Sequence, residues 1–268
     1  MGSAFFPPGD EPPGLYKDFR VAWHLHPLLT RILNDLEGTD LGDEFRARAV
    51  DVSTLKVLND PVDHAGALGA HLWLLEHADG SGLPLTEDGY LSPADARALA
   101  EVLPTMDGWR EISTDQDTTY EAHSFHQSVE RSGLLETIEG RLHLTQAGQD
   151  GLASPTALWD HLAHTLVPRE HSFTADASVV ILVHAATSEG AIENSTIAET
   201  LFELGWEQSD GSPIEHIDVY LQWNELWTLL GNVGMPRSGD GRDEKIGPEA
   251  RVLVNQALFT EVPPNDAK

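Results

Sequence analysis

Apolar residues recur at helical spacing along most of this chain. In "RVAWHLHPLLTRILNDLEG", Leu28, Leu29, Ile32, Leu33 and Leu36 fall on one helical face, and Gly38 supplies a stop. A sparser pattern suggests a short helix over residues 43–50. From Ala67, "ALGAHLWLLEHADG" reads as a helix closed at Asp79-Gly80. "LSPADARALAEVL" opens with a strong start signal. Ser92 can cap, Pro93 suits the first turn, and Asp95 stands at capping-box spacing. Leu99, Val102 and Leu103 form its apolar face, and Pro104 ends it. A third helix is expected near residues 120–132, with Phe125 and Val129 facing inward. "SPTALWDHLAHTL" is a further capped helix, with Ser154 as cap, Pro155 at its first position and Pro168 closing it.

One stretch breaks the helical period. In "SGLLETIEGRLHLTQAGQ", residues 132–149, a helix ends at Ser132-Gly133, two short runs meet in a tight turn at Glu139-Gly140, and Gly148 leads into a new helix. Three helices, a hairpin and a helix are the order of a winged-helix unit. The last hundred residues repeat it. "ASVVILVHAATSEG" ends at Gly190, and "NSTIAETLFELGW" carries Asn194 or Ser195 as cap. "VYLQWNELWTLLGNVG" has Leu226, Trp227 and Leu230 at helical spacing, and "MPRSGDGRDEKIG" has hairpin turn chemistry before Pro248 opens a last helix. Gly108-Trp109 and Gly205-Trp206 follow the second helix of each half. The expectation is a mainly α fold with short β-hairpins, built from a tandem duplication of winged-helix-like units at residues 67–168 and 171–262. A Pro/Gly-rich flexible arm at 1–15, an N-terminal helical segment at 16–66 and a tail at 263–268 complete it.

Residues 68–168 also resemble a known family. The resemblance is carried by "LTEDGYLSPADARALAEVL", Trp109, "DQDTTY", "RSGLLETIEGRLHLTQAG" and "ALWDHLAHTL". These are similar to bacterial proteins, often actinobacterial, known by the label plasmid ORF-3-like. The resemblance implies a shared fold and brings no activity, because none is assigned to that family. The chain departs from the family pattern at Ile112-Ser113-Thr114, where relatives carry an Asn-Arg-type segment.

Charge changes what a wing can mean. The 268 residues hold 44 Asp and Glu against 16 Lys and Arg, a formal net charge of −28. Such a chain repels nucleic acid and anionic membranes. Adaptation of a whole proteome to salt accounts for the acidity equally well. Hydrophobic residues make up 40%, enough for packed cores, and there is no cysteine for a disulfide, a thiolate zinc site or a thiol nucleophile. The longest apolar run, residues 179–186, is far short of the roughly 20 residues that span a bilayer. No basic and then apolar leader opens the chain. A soluble, cytoplasmic protein without membrane contact is expected.

The helix that would read DNA is the third of each unit, and phosphate contact needs Lys and Arg. The first third helix offers Arg131 against Glu121 and Glu130, with Asp115 and Asp117 on its approach. The second has Glu215, Asp218 and Glu225, and no Lys or Arg occurs between Arg169 and Arg237. Arg237, Arg242 and Lys245 in the second wing are interleaved with Asp240, Asp243 and Glu244. Direct nucleic-acid binding is therefore not expected.

Some of the thirteen histidines cluster. His24 with His26, His123 with His126, and Asp160 with His161 and His164 are candidate metal half-sites, His161 and His164 sharing a helix face. Zinc needs three or four converging ligands. Histidines on the polar or half-buried side of amphipathic helices are the preferred reading, so no metal or cofactor is expected. No HExxH, GxSxG, GxxxxGK[ST] or GxGxxG sequence occurs, and no carboxylate pair stands out as acid and base. The function expected is a non-enzymatic protein-binding or dimerising module, with Trp223, Leu226, Trp227 and Leu230 as candidate contact residues. A transcription-linked protein or acidic nucleic-acid mimic is the first alternative. An enzyme using His123, His126, Asp160 and His164 is the second.

Overall fold

Helices dominate the computed structural model, which describes residues 23–55, 61–107, 114–234 and 245–261. In chain order these are β1 (Trp23–Leu25), α1 (Pro27–Asp35), α2 (Asp40–Thr54), α3 (His64–Ala67), α4 (Gly69–Ala78), β2 (Leu83–Pro84), α5 (Pro93–Ala100) and α6 (Asp115–Arg131). Then follow β3 (Leu135–Ile138), β4 (Arg141–Leu144), α7 (Gln146–Ala153), α8 (Pro155–Thr165), α9 (Phe173–Thr187), α10 (Asn194–Glu203), α11 (His216–Leu230), α12 (Pro248–Leu258) and β5 (Phe259–Glu261). The arm at 1–15, Gly108-Trp109, Ile112-Ser113, most of the expected second hairpin and the tail lie outside the described residues.

Contacts gather the chain into two compact units. One holds residues 23–55, 167–222 and 251–261; the other holds 61–107, 114–166, 223–234 and 245–250. Residues 171–262, expected as a single unit, are thus divided between the two. The physical reason lies in α9. Its residues from Ala175 to Ala186 are all buried, so this helix is apolar around its circumference and needs neighbours on every side. Helices α1, α2 and α10 pack around it. β1 and β5 close the same unit as an antiparallel pair, Leu25 opposite Phe259, and Asn255 donates its side-chain amide to the Val52 carbonyl at 2.8 Å.

The second unit carries the strands of the sequence-predicted hairpin. Its three-stranded antiparallel sheet has the order β2-β4-β3, with Leu83 opposite Leu142 and Leu135 opposite Leu144. The turn between β3 and β4 places Glu139 at φ 50° and Gly140 at φ 72°. Two successive positive φ values match the twist that two-residue hairpins require, and glycine takes the second at no steric cost. Arg141 fastens the hairpin to the chain before β2. Its Nε donates to the Ser81 carbonyl at 2.7 Å and its Nη2 to the Gly82 carbonyl at 2.6 Å.

Local signals place the helices. Ser92 caps α5, accepting the Asp95 amide, and Ser154 caps α8 ahead of Pro155. Thr114 and Asp117 form a reciprocal capping box, which starts α6 about a turn earlier than the apolar pattern indicates. α6 ends where Gly133 donates to the Glu130 carbonyl and Leu134 to the Val129 carbonyl, the pairing of a Schellman motif. The hairpin then meets α7 at a close approach. A Cβ at Gly148 would lie 2.1 Å from the Leu134 carbonyl oxygen, far inside contact distance. Gly148→Ala is expected to destabilise the protein by about 2 kcal/mol or more, read as a lower urea midpoint. An unchanged midpoint would mean that hairpin and helix are not pressed together.

Candidate interaction surface

Helix α11 is apolar on two sides. Val219, Trp223, Leu226, Leu229 and Leu230 are buried. Trp227 is half-buried, its ring 5.6 Å from that of Trp223. The expected contact residues Trp223, Leu226 and Leu230 are therefore packing residues of this chain, closed to a partner. A different set reaches solvent: Ile217 at 46%, Tyr220 at 45% and Leu221 at 60% exposure. Their spacing of three and four residues puts them on one face. The Asp218 carboxylate accepts the Glu215 backbone amide at 3.0 Å across the helix start. This face has no sequence-near cation, and its buried opposite side fixes its orientation.

The candidate metal residues fall in separate places. His123 and His126 sit together on α6, their rings edge-on at 4.9 Å, with Tyr90 stacked on His123 at 4.1 Å. His161, on α8, donates from Nε2 to the Ser132 carbonyl at 2.7 Å. Asp160 and His164 are exposed on that same helix. His24 lies in β1, and the Nδ1 of His26 accepts the Leu28 amide as the cap of α1. Among the described residues, no three His, Asp or Glu side chains are placed to hold one metal ion.

A buried histidine that sequence reading passed over lies near the first pair. His71 of α4 is fully buried, with its ring edge-on to Phe125 at 5.0 Å and neither ring nitrogen hydrogen-bonded. Burial pushes its pKa down from 6.5 to about 4. His126 is also pushed down to about 4, by burial first and then by the neighbouring His123. His123 is lowered by burial, against a backbone hydrogen bond involving Gly89. Glu121 is raised, chiefly by burial and further by the charge of Asp117. Nothing in the apolar period of α4 marked His71, because a helix buried on most sides gives no polar face to read.

The other unit holds a buried carboxylate. Asp176, near the start of α9, is fully enclosed, and its carboxylate is paired with the Arg31 guanidinium from α1. Trp206 Nε1 donates to it at 2.9 Å, and His171 Nε2 stands 3.2 Å from the same oxygen. Arg31 also reaches Asp35 at 2.9 Å. Donors from three separate segments thus satisfy one buried charge. Trp206, read from sequence as a residue after a helix stop, is a hydrogen-bonding partner there. Ser172 caps α9 and so fixes the helix that presents the carboxylate.

No helix among the described residues is long and apolar enough to cross a membrane. No family model matches the chain, and neither the curated proteins nor the solved structures contain a significant match to it.

Proposed function

We propose that this protein is a protein-binding module, with the exposed face of α11 as its contact surface. The observation that carries this is the cluster Ile217, Tyr220 and Leu221, exposed on a helix that follows Glu215 and carries Asp218 and Glu225. Large apolar side chains grouped in solvent mark interaction sites more often than scattered single ones do. The charge of −28 disfavours a second copy and favours a partner whose apolar anchors are flanked by Lys or Arg.

The scaffold we infer for residues 67–153 is winged-helix-like. Supporting it, helix α4, strand β2, helices α5 and α6 and the β3–β4 hairpin follow in that order, with β2 pairing β4. The resemblance to plasmid ORF-3-like proteins covers the same region. Two features argue against DNA as the partner. The exposed start of α6 carries Asp115 and Asp117, and the wing's one cation, Arg141, is held on backbone carbonyls.

The test uses a fluorescent peptide that forms an amphipathic helix of Leu and Lys, beside a peptide of the same composition in scrambled order. The amphipathic form is expected to bind about tenfold or more tightly, a preference that Leu221→Asp removes because it buries a charge against the anchors. Equal affinity for both peptides, or an indifferent Leu221→Asp variant, would overturn the proposal.

A further inference from the structure

The unit formed by 61–166 and 223–250 has an open groove of about 430 Å³. Its position is set by helix ends. Gly66 and Gly69 come from the bend between α3 and α4, Trp73 and Glu76 from the following turns of α4, and Glu101 and Val102 from the end of α5. Ala70, Leu72 and Pro104 add apolar wall. No Lys or Arg lines it.

Three independent features of this groove favour a positive ligand. First, the Glu76 and Glu101 carboxylates are both exposed, and neither has an ion-pair partner among the described residues. Second, α5 ends there, with Glu101 as its C-cap, so the partial negative charge of the last-turn carbonyls lies at the groove. Third, the Trp73 indole lines the wall. It is braced by His77, whose ring stacks on it at 3.7 Å and whose Nδ1 donates to the Trp73 carbonyl at 2.7 Å. An indole face attracts cations, and bracing keeps it from collapsing into the space it borders.

The same features discriminate among cations. A bare divalent metal needs several converging oxygen ligands, and no such group occurs among the described residues. An alkylammonium needs less. Its N–H groups pair with carboxylates, and its methylenes lie on an apolar wall and an aromatic face.

We propose that this groove binds the ammonium end of an alkylamine. The ammonium sits by Glu76 and Glu101 and the alkyl chain runs along Trp73, Val102 and Pro104. A free diamine and a lysine side chain of a partner share this chemistry. The groove shares no residue with the α11 face, so it stands whether or not that face binds protein.

Calorimetric titration of the full chain at low salt tests it, with 1,5-diaminopentane, 1,5-pentanediol and a short peptide containing one lysine as probes. The diamine is expected to bind one to one, and the diol is expected not to bind. Glu101→Gln and Glu76→Gln are each expected to weaken the amine about tenfold, the size of one charge-assisted contact, while Glu136→Gln, an exposed carboxylate outside the groove, leaves affinity unchanged. Both groove carboxylates are exposed, so these variants keep the fold, which circular dichroism verifies. A peptide that binds more tightly than the diamine identifies a protein lysine as the ligand; the reverse order identifies a free amine. Absence of diamine binding, equal binding of the diol, or equal losses in all three Gln variants overturns the proposal.

Discussion

Lowering the pH from 7 to 5 will cost the His71 unit roughly 4 kcal/mol of stability, before most carboxylates begin to titrate. The loss comes from His71 and His126, both buried and both pushed down to about 4. In the unfolded chain each histidine takes up a proton near pH 6.5; in the folded chain it stays neutral. The unfolded state therefore binds more protons between pH 6.5 and 4. The stability is complete above 6.5 and is lost as pH falls, by about 1.4 kcal/mol per pH unit for each histidine. His184, buried in the other unit and also lowered to about 4, acts in the same direction there. Glu121 opposes them, because its raised pKa means that protonation on acidification favours the fold. Relief of repulsion among the many carboxylates opposes them too, at lower pH. Urea unfolding measured at half-unit steps from pH 7 to 5 isolates the histidine effect. His71→Leu removes a side chain with two unpartnered ring nitrogens. It is expected to raise stability at pH 7 by about 1 kcal/mol and to reduce the pH slope by about half. A flat profile in the wild-type chain would contradict burial of the neutral rings.

What the sequence disclosed follows the range of the interactions. Ser92 with Asp95, Ser154 with Pro155, and Glu139 with Gly140 act across one to three residues, and each does in the fold what its spacing implied. The β1–β5 pair was not legible. It joins Trp23 to Glu261 across nearly the whole chain, and each strand is three residues long, too short to show alternation. β2 is only two residues long and includes a proline. Sequence offers Asn194 or Ser195 as the cap of α10, whereas Glu193 occupies it without a side-chain hydrogen bond. α11 shows the limit most directly. Its sequence carries two apolar sets, and helical period alone does not say which faces inward. Trp223, Leu226 and Leu230 suit a contact surface because they are large and regular, and those properties also suit a core. Ile217, Tyr220 and Leu221, left outside, became visible only with burial.

Removing the Asp176 carboxylate will destabilise its unit by about 3–5 kcal/mol, the range for breaking one side of a buried ion pair. The carboxylate is fully enclosed and meets Arg31 and Trp206 from distant segments and His171 from just before α9. Asp176→Ala leaves Arg31 with Asp35 and solvent as its partners, opens a cavity beside it, and leaves the Trp206 N–H without its acceptor. Asp176→Asn keeps an oxygen for Trp206 and loses the charge, so its effect should be smaller. The double variant Arg31→Met with Asp176→Asn separates the terms. If Arg31 and Asp176 act as a pair, its cost falls below the sum of the single costs by about 1–3 kcal/mol, the range for coupled neighbours. Additive costs would assign the enclosed carboxylate to Trp206 and His171 rather than to Arg31. The local contribution of His171 has its own signature. With 55% of its side chain exposed, it keeps solvent as an alternative partner. His171→Gln should therefore change stability far less than Asp176→Ala. Urea midpoints for these variants decide whether α1, α9 and the Trp206 segment are fastened at this carboxylate or by apolar packing.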